Sequence, residues 1–339
     1  MKLRIGLIGL GDQWESRHAT ALRALSDRFE VTAVCCEVYT KAQRVAEQFG
    51  AVAIHSFRSV IRHSDIDAIL YLSPQWYGSL PILEACEHGK AVYSSAALDV
   101  TPGQALEIRT RIEASGIAYM AELPRRHSPA TLRLKELIAT RLGKPHLLFC
   151  HQRMPAESHS DWRRRGQHCP LVWRNLMELV DWCRYLVDAD PVSVLSSIHG
   201  QHDSRKDLFY QMVNLEFAKP EEANSMKPMA QLSVGHYIPQ RWSDALSYRR
   251  PPSVQVCCEN GMAFIDLPSS LVWFDDAGQH TESLEAERAV GEQMLDRFYR
   301  AVTSLIRRTT DPDDAYSAMQ IVVKAHESAR TGNREPLQW

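Results

Sequence analysis

The apolar run that starts at Leu3 ends in Gly9-Leu10-Gly11, and a helical segment opens directly after it. Glycines there let the chain turn tightly, so that the backbone N–H groups of Gly9, Gly11, Asp12 and Gln13 can face a pyrophosphate at the helix N-terminus. In the full G-x-G-x-x-G pattern a third glycine lets helix and strand approach closely; here that position is Trp14. One reading is a dinucleotide site with an indole beside it. The other is a bare strand-to-helix turn whose crevice Trp14 fills, in a scaffold that no longer binds nucleotide. Glu37 ends the second apolar strand, 26 residues after Gly11. A carboxylate at that point accepts hydrogen bonds from an adenosine ribose and repels a 2′-phosphate, which favours NAD over NADP. Lys41 softens the preference, and a merely solvated carboxylate is the alternative. Farther along, Arg163, Arg164 and Arg165 precede His168. Guanidinium forks in such a run suit a carboxylate or phosphate on a small substrate, although a solvated loop has the same composition.

Over the first 120 residues, short β-branched runs alternate with helical periods. That pattern forces a parallel sheet, because each strand needs a crossover before the next. Strands are expected at Leu3–Gly9, Val31–Cys36, Val52–His55, Ala68–Leu72, Ala91–Ser94 and Ile117–Met120. Thr40 with Gln43 reads as a capping box stopped by Gly50, and Thr101, Pro102 and Gln104 read as a second one stopped by Gly116. The expectation is α/β: a doubly wound, Rossmann-type domain over residues 1–122.

Residues 123–339 read as an α+β domain. Helices are expected at Ala130–Thr140, Val172–Val187, Glu292–Arg307 and Pro312–Thr331, the last capped by Asp311. Strands are expected at Pro145–Arg153, Val192–His202, Leu208–Phe217, Ala230–Ile238, Ser253–Glu259, Met262–Leu267 and Leu271–Phe274. Their short connections, including Asn260-Gly261 as a type I′ hairpin, predict an open, mainly antiparallel sheet. One face, with Val213, Leu215, Phe217, Leu232 and Val234, suits packing on helices. The opposite face is semi-polar and suits either a homo-oligomer contact or solvent. Arg125 and Arg126 follow the sixth strand at the junction of the two domains and are further candidates for a substrate anion.

Composition narrows the function classes. The 39 Lys+Arg against 41 Asp+Glu give a formal net charge of −2, with no cationic excess for a phosphate backbone or an anionic membrane. Nucleic acid and membrane are not expected partners; a small molecule is. No apolar run reaches the roughly 18 residues of a membrane span, the N-terminal apolar stretch is short for a signal peptide, and a cytoplasmic location is expected. The 8 cysteines form no C-x-x-C pair and the 14 histidines no H-E-x-x-H, so reduced thiols and no metal are expected.

Several segments, in order, resemble the glucose–fructose oxidoreductase, inositol dehydrogenase and MocA family over nearly the whole chain. They are Gly6-Leu7-Ile8-Gly9-Leu10-Gly11 with His18, Asp67-Ala68-Ile69-Leu70-Tyr71-Leu72-Ser73-Pro74, and Leu83-Glu84-Ala85-Cys86-Glu87-His88-Gly89-Lys90-Ala91-Val92. Arg125-Arg126-His127-Ser128-Pro129-Ala130, Asp161-Trp162-Arg163, Asp181-Trp182-Cys183-Arg184-Tyr185-Leu186 and Ala315 to Gly332 continue the series. The resemblance implies a nicotinamide nucleotide, oxidation or reduction of a sugar, polyol or related acid, and an active site between the domains. It also implies that Ser73, Pro74, Gln75 and Ser95 line the cofactor. The chain departs from the family where chemistry is concentrated. Where the family has Glu-Lys-Pro, whose lysine hydrogen-bonds the reacting hydroxyl, this chain has Ser95-Ala96-Ala97. Arg174, Leu176 and Glu178 stand where Asp-x-Gly-x-His is common, and Gln75 and Gly78 stand where Asn and His are common. A dehydrogenase still needs an acid–base group, worth ~10²–10⁴ in rate. Glu178, at the histidine position, and Asp181 three residues on are the catalytic candidates; Asp181 would raise the Glu178 pKa, and Arg174, also a candidate for substrate binding, would lower it. An ion pair of Arg174 with Glu178 on an exposed helix face is the plain alternative, and an inactive paralogue that binds a nucleotide or sugar derivative is the alternative function.

Overall fold

The computed structural model describes the chain except residues 1, 97, 99, 156–170, 204–205, 219–225 and 305–310; at 74, 75, 155, 171, 172, 201–203, 206–208, 240 and 311 it describes the backbone alone. Leu3–Ile8 (β1), Phe29–Cys35 (β2), Val52–Ala53 (β3), Ala68–Tyr71 (β4), Ala91–Ser94 (β5) and Tyr119–Ala121 (β6) form a six-stranded sheet. All its pairings are parallel, in the order β3-β2-β1-β4-β5-β6. Each crossover carries helix: a wide turn Trp14–His18 running into α1 (Ala19–Ala24), then α2 (Tyr39–Phe49), α3 (Phe57–Ile61), α4 (Pro74–Tyr77) with α5 (Leu80–Glu87), and α6 (Pro102–Ser115). β1, β4 and β5 are almost continuously apolar and buried, as strands covered on both faces must be.

The α6 capping box forms as expected: Thr101 Oγ1 accepts from Gln104 N, Gln104 Oε1 accepts from Thr101 N at 3.1 Å, and Gly116 ends the helix at φ 63°. The Thr40–Gln43 box does not form. α2 begins two residues earlier than that box implies, at Tyr39, with Val38 as its N-cap and no side-chain cap, so Thr40 already lies inside the first turn. Gly50 does close that helix in the left-handed conformation.

The rest of the chain contributes α7 (Pro129–Leu137), β7 (Pro145–Pro155), α8 (Leu171–Val187), β8 (Pro191–Asp203), β9 (Lys206–Phe217), β10 (Met229–Ile238), β11 (Val254–Cys258), β12 (Gly261–Asp266), β13 (Ser270–Asp275) and β14 (Gly278–Ser283). Helices α9 (Val290–Thr303) and α10 (Asp311–Thr331) and the short strand β15 (Glu335–Pro336) end it. The second sheet runs β14-β13-β12-β11-β7-β10-β9-β8-β15, antiparallel except where β7 meets β10. β14 has almost no apolar residues and β15 is two residues long, so neither carried a strand signal.

Asn260-Gly261 does not make a type I′ turn. The loop residues are Glu259 and Asn260, because Cys258 pairs with Gly261, and neither has positive φ. Gly261 is instead required by close approach, since a Cβ there would strike the carbonyl of Phe274.

The chain divides into two units. The first takes in residues up to Pro124 together with Arg288–Ser317, and the second begins at Arg125 and includes Leu171–Glu287 and Ala318–Trp339. Helix α9 thus belongs with the parallel sheet, where Met294, Leu295 and Phe298 join Leu22, Leu70 and Tyr93 in one core. Gly291 permits that approach, because a Cβ there would lie 2.8 Å from Arg17 Cγ. In the second unit, Leu176, Leu179, Val180, Cys183 and Leu186 of α8 are buried, as are Leu148, Cys150, Val213, Leu215, Leu232 and Val234 of the sheet.

Candidate functional site

β1 and β4 are neighbours whose connections leave in opposite directions across the sheet, the point at which doubly wound folds hold ligands beyond their strand ends. The turn after β1 lies against the segment after β4. Gly9 has φ +77°, and a Cβ there would run into the Ser73 side chain and come within 2.9 Å of its backbone N; a Cβ on Gly11 would strike the carbonyl of Leu72. Gly9 N donates to Cys35 O at 2.7 Å and Trp14 N to Gly11 O at 2.9 Å. The N–H groups of Leu10, Gly11, Asp12 and Gln13 donate to no acceptor among the described residues. Four successive free donors at the start of a helical segment make an electropositive end suited to an anion.

Asp12 and Gln13 are exposed on this turn. The Trp14 indole points the other way: it is 5% exposed, sits in the core and meets Phe49 edge-on at 5.9 Å between ring centroids. The chain makes room for it by widening its first helical turn, with His18 N reaching back to Gln13 O and Ala19 N to Trp14 O, five residues each. Such π turns place one extra residue in the helix and are frequent at functional sites.

Glu37 lies exposed just beyond β2, and near it in the chain Tyr39 stacks on His55 at 3.8 Å. Ser73 is buried behind the glycine turn, and Pro74 and Gln75 open α4, where the backbone alone is described. Ser95 N donates to Tyr71 O at 2.9 Å, and Ser94 Oγ to the carbonyl of the buried Ala96 at 3.0 Å. The ends of β1, β4 and β5 therefore bring Gly9, Gly11, Ser73 and Ser95 to the same side of the sheet.

One group at this end was not anticipated. Glu122, immediately after β6, is 2% exposed; its backbone N donates to Ser94 O at 2.8 Å, and its carboxylate meets His18 Nε2 at 3.0 Å and Arg17 Nη1. Burial pushes this carboxyl up, but His18 and Arg17 outweigh it and hold it below the ordinary glutamate range. The sequence signal was a lone acid closing the apolar strand Tyr119–Ala121; nothing local named its partners, more than a hundred residues earlier.

In the second unit, Glu178, Asp181, Trp182 and Tyr185 form a stripe on α8 at helical spacing. A short 3₁₀ turn, Pro124–His127, presents Arg125 and Arg126 to it. Arg126 clasps Asp181 with two donors, Nε at 2.6 Å and Nη2, and lies 5.3 Å over the Tyr185 ring. Arg125 repeats the arrangement one turn earlier, with Nε 3.4 Å from Glu178 Oε2 and the guanidinium 5.4 Å over Trp182. Glu178 thus pairs with an arginine distant in sequence. Arg125 Nη2 also donates to Gln152 Oε1 at 2.9 Å, Gln152 Nε2 to Asn175 Oδ1 at 3.1 Å, and Asn175 Nδ2 to Met154 Sδ at 3.0 Å. Arg174 lies one turn before Glu178 and is partly buried. Arg163, Arg164, Arg165 and His168 lie outside the described residues. Among the described residues no cluster of three or more His, Cys, Asp or Glu side chains is placed to hold a metal, and no helix is long and apolar enough to cross a membrane.

Residues 3–122 match the family described as oxidoreductases with an NAD-binding Rossmann fold. An inositol 2-dehydrogenase of Saccharopolyspora erythraea is 28% identical over 200 residues, covering 57% of this chain and 56% of that protein. The chain therefore matches about half the length of this relative. Among solved structures, the aldose-aldose oxidoreductase of Caulobacter crescentus complexed with glycerol superposes with a TM-score of 0.82 at 16% identity, over 99% of this chain and 100% of that one. A levoglucosan dehydrogenase complexed with NADH and levoglucosan does so with a TM-score of 0.82 at 16% identity, over 99% of each. Similarity at that level establishes the fold. Over residues 3–122, the chain is similar to the oxidoreductase family of glucose–fructose oxidoreductase, inositol dehydrogenase and MocA.

Proposed function

We propose that this protein is a nicotinamide-dependent oxidoreductase acting on a hydroxyl or carbonyl of a sugar, polyol or related acid, with NAD preferred to NADP. The observation that carries the reading is the row of four unpartnered N–H donors after β1, in the segment that matches the family. These residues fit a dinucleotide: the donors would hold its diphosphate, the exposed Glu37 its adenosine ribose, and the Trp14 indole is turned into the core. Ser73, Pro74, Gln75 and Ser95 would border the same ligand. The nicotinamide supplies hydride exchange when bound; the protein must supply proton transfer. With Ala96 in place of the lysine, that task falls to Glu178, while Asp181, held by Nε and Nη2 of Arg126, keeps α8 in place. Arg174, Arg163 and His168 would bind the substrate's polar groups.

Titration with NADH by fluorescence tests the cofactor, and absence of saturable binding at millimolar concentration overturns the proposal. Glu37→Gln should narrow the preference for NADH over NADPH, and an unchanged ratio removes Glu37 as the discriminating group. A sugar and polyol panel at the nicotinamide absorbance tests turnover, with Glu178→Gln expected to lower kcat by ~10²–10⁴. The absence of an ionisable side chain at Ala96 favours a second reading, a nucleotide-binding protein without turnover, which predicts NADH binding and no active substrate. For assembly, the face carrying Phe149, Phe264 and Val272 is partly exposed in the single chain, and we infer that a second copy covers it. Phe264→Arg should then yield monomer in size-exclusion chromatography, and an unchanged elution volume removes this interface.

A further inference from the structure

Two consecutive arginines face two carboxylates three residues apart on α8, and each guanidinium also covers the aromatic ring one turn after its carboxylate. The two halves differ in one respect. Asp181 has both oxygens engaged by Arg126 and is sealed, with 2% of its side chain exposed. Glu178 meets Arg125 through Oε2, 3.4 Å from Nε, at a distance of charge contact; no hydrogen bond reaches either of its oxygens among the described residues, and 25% of its side chain is open. The first pair is a clasp. The second is a carboxylate held from one side, with its other oxygen left for a ligand.

Arg125 is itself fixed on three sides. Gln152 of β7 accepts from Nη2, Trp182 lies beneath the plane, and Glu178 faces Nε; Gln152 is in turn tied through Asn175 to Met154. Only 15% of the Arg125 side chain is exposed. A guanidinium committed in this way is poorly suited to a substrate anion and well suited to fixing a neighbouring carboxylate.

We propose that Arg125 is a positioning residue for Glu178, holding its carboxylate by one oxygen so that the other meets the substrate. The inference deepens the acid–base role given to Glu178 above and rests on it. Other charged or titratable groups on the elements packed here include Arg126 and His127 of the 3₁₀ turn, His146, Cys150, His151 and Arg153 of β7, His236 and Tyr237 of β10, and Arg174, Asp181, Cys183, Arg184 and Tyr185 of α8 itself.

The test compares wild type, Arg125→Gln, Arg125→Lys, Glu178→Gln and the Arg125→Gln/Glu178→Gln double variant. In crystal structures, wild type should show Glu178 in one rotamer facing Arg125, and Arg125→Gln should show it displaced or in several. An unmoved Glu178 overturns the proposal, with or without a known substrate. In steady-state assays with NADH, Arg125→Gln should lower kcat by up to ~10²-fold with substrate KM nearly unchanged, the loss expected of a misplaced reacting group. Arg125→Lys should recover part of it. In the double variant the Arg125 change should add nothing to the Glu178→Gln loss. A raised KM with kcat unchanged identifies Arg125 as a substrate-binding residue and refutes positioning. If Glu178→Gln turns over like wild type, the acid–base reading falls, while the crystal comparison still decides whether Arg125 places the carboxylate.

Discussion

Removing the Glu122 carboxylate should destabilise the first unit by several kcal/mol and abolish one component of its acid sensitivity. Glu122→Ala removes the carboxylate that His18 Nε2 and Arg17 Nη1 both meet, and His18 is 1% exposed. Breaking a buried ion pair from one side costs about 3–5 kcal/mol. Arg17 is a quarter exposed, so its share is screened, whereas the contact with His18 is fully buried. At about 2–4 °C per kcal/mol for a domain of this size, Tm should fall by about 6–20 °C.

The pH dependence has a definite sign. The folded carboxyl titrates below its ordinary value, so between the two values the unfolded chain binds more protons and stability rises with pH. The contribution is complete above the ordinary glutamate value of about 4.3 and is lost as pH falls through the folded one. Urea unfolding of wild type, Glu122→Gln and Glu122→Ala from pH 7 down to pH 3 measures it. Wild type should lose stability relative to Glu122→Gln below about pH 4.5. A Glu122→Ala loss under about 1 kcal/mol, or parallel curves for wild type and Glu122→Gln, refutes the reasoning.

Gly11→Ala forces a methyl against the Leu72 carbonyl, an overpacking worth about 1–3 kcal/mol, and should weaken NADH at least about tenfold in a fluorescence titration; equal affinity would mean the turn does not hold the cofactor. Thr101→Ala deletes the α6 cap, costing about 1 kcal/mol and lowering Tm by about 2–4 °C, with no change in NADH affinity.

The parallel sheet was legible because its strands are nearly pure apolar runs separated by capping and stop residues: Thr101, Gly50 and Gly116 behave as their types dictate. The glycine turn was legible for the same reason. Trp14 was harder, because a pattern of identities does not reveal that one added residue in a helical turn can carry an indole into the core. The carboxylate pairs were illegible for a different reason. Helical spacing offers only near neighbours, such as Arg174 for Glu178, whereas the partner that forms, Arg125, arrives from a turn before β7. Glu122 with His18 is the same case on a longer span. β14 escaped notice because its polar residues leave no periodic signal.

The C-terminal segment has a protective consequence. Glu335 and Pro336 lie beside Val194 and Ser193, Leu337 N donates to Val192 O at 2.9 Å, and Trp339 Nε1 donates to Pro191 O at 2.9 Å. An outermost strand invites recruitment by foreign chains through its bare amides and carbonyls, and a proline in the flanking position offers no amide to continue the ladder. These few residues therefore act as a selvedge that keeps Pro191–Ser193 from being extended by a stray polypeptide. A chain ending at Thr331 should retain its parallel-sheet unit while becoming prone to concentration-dependent aggregation.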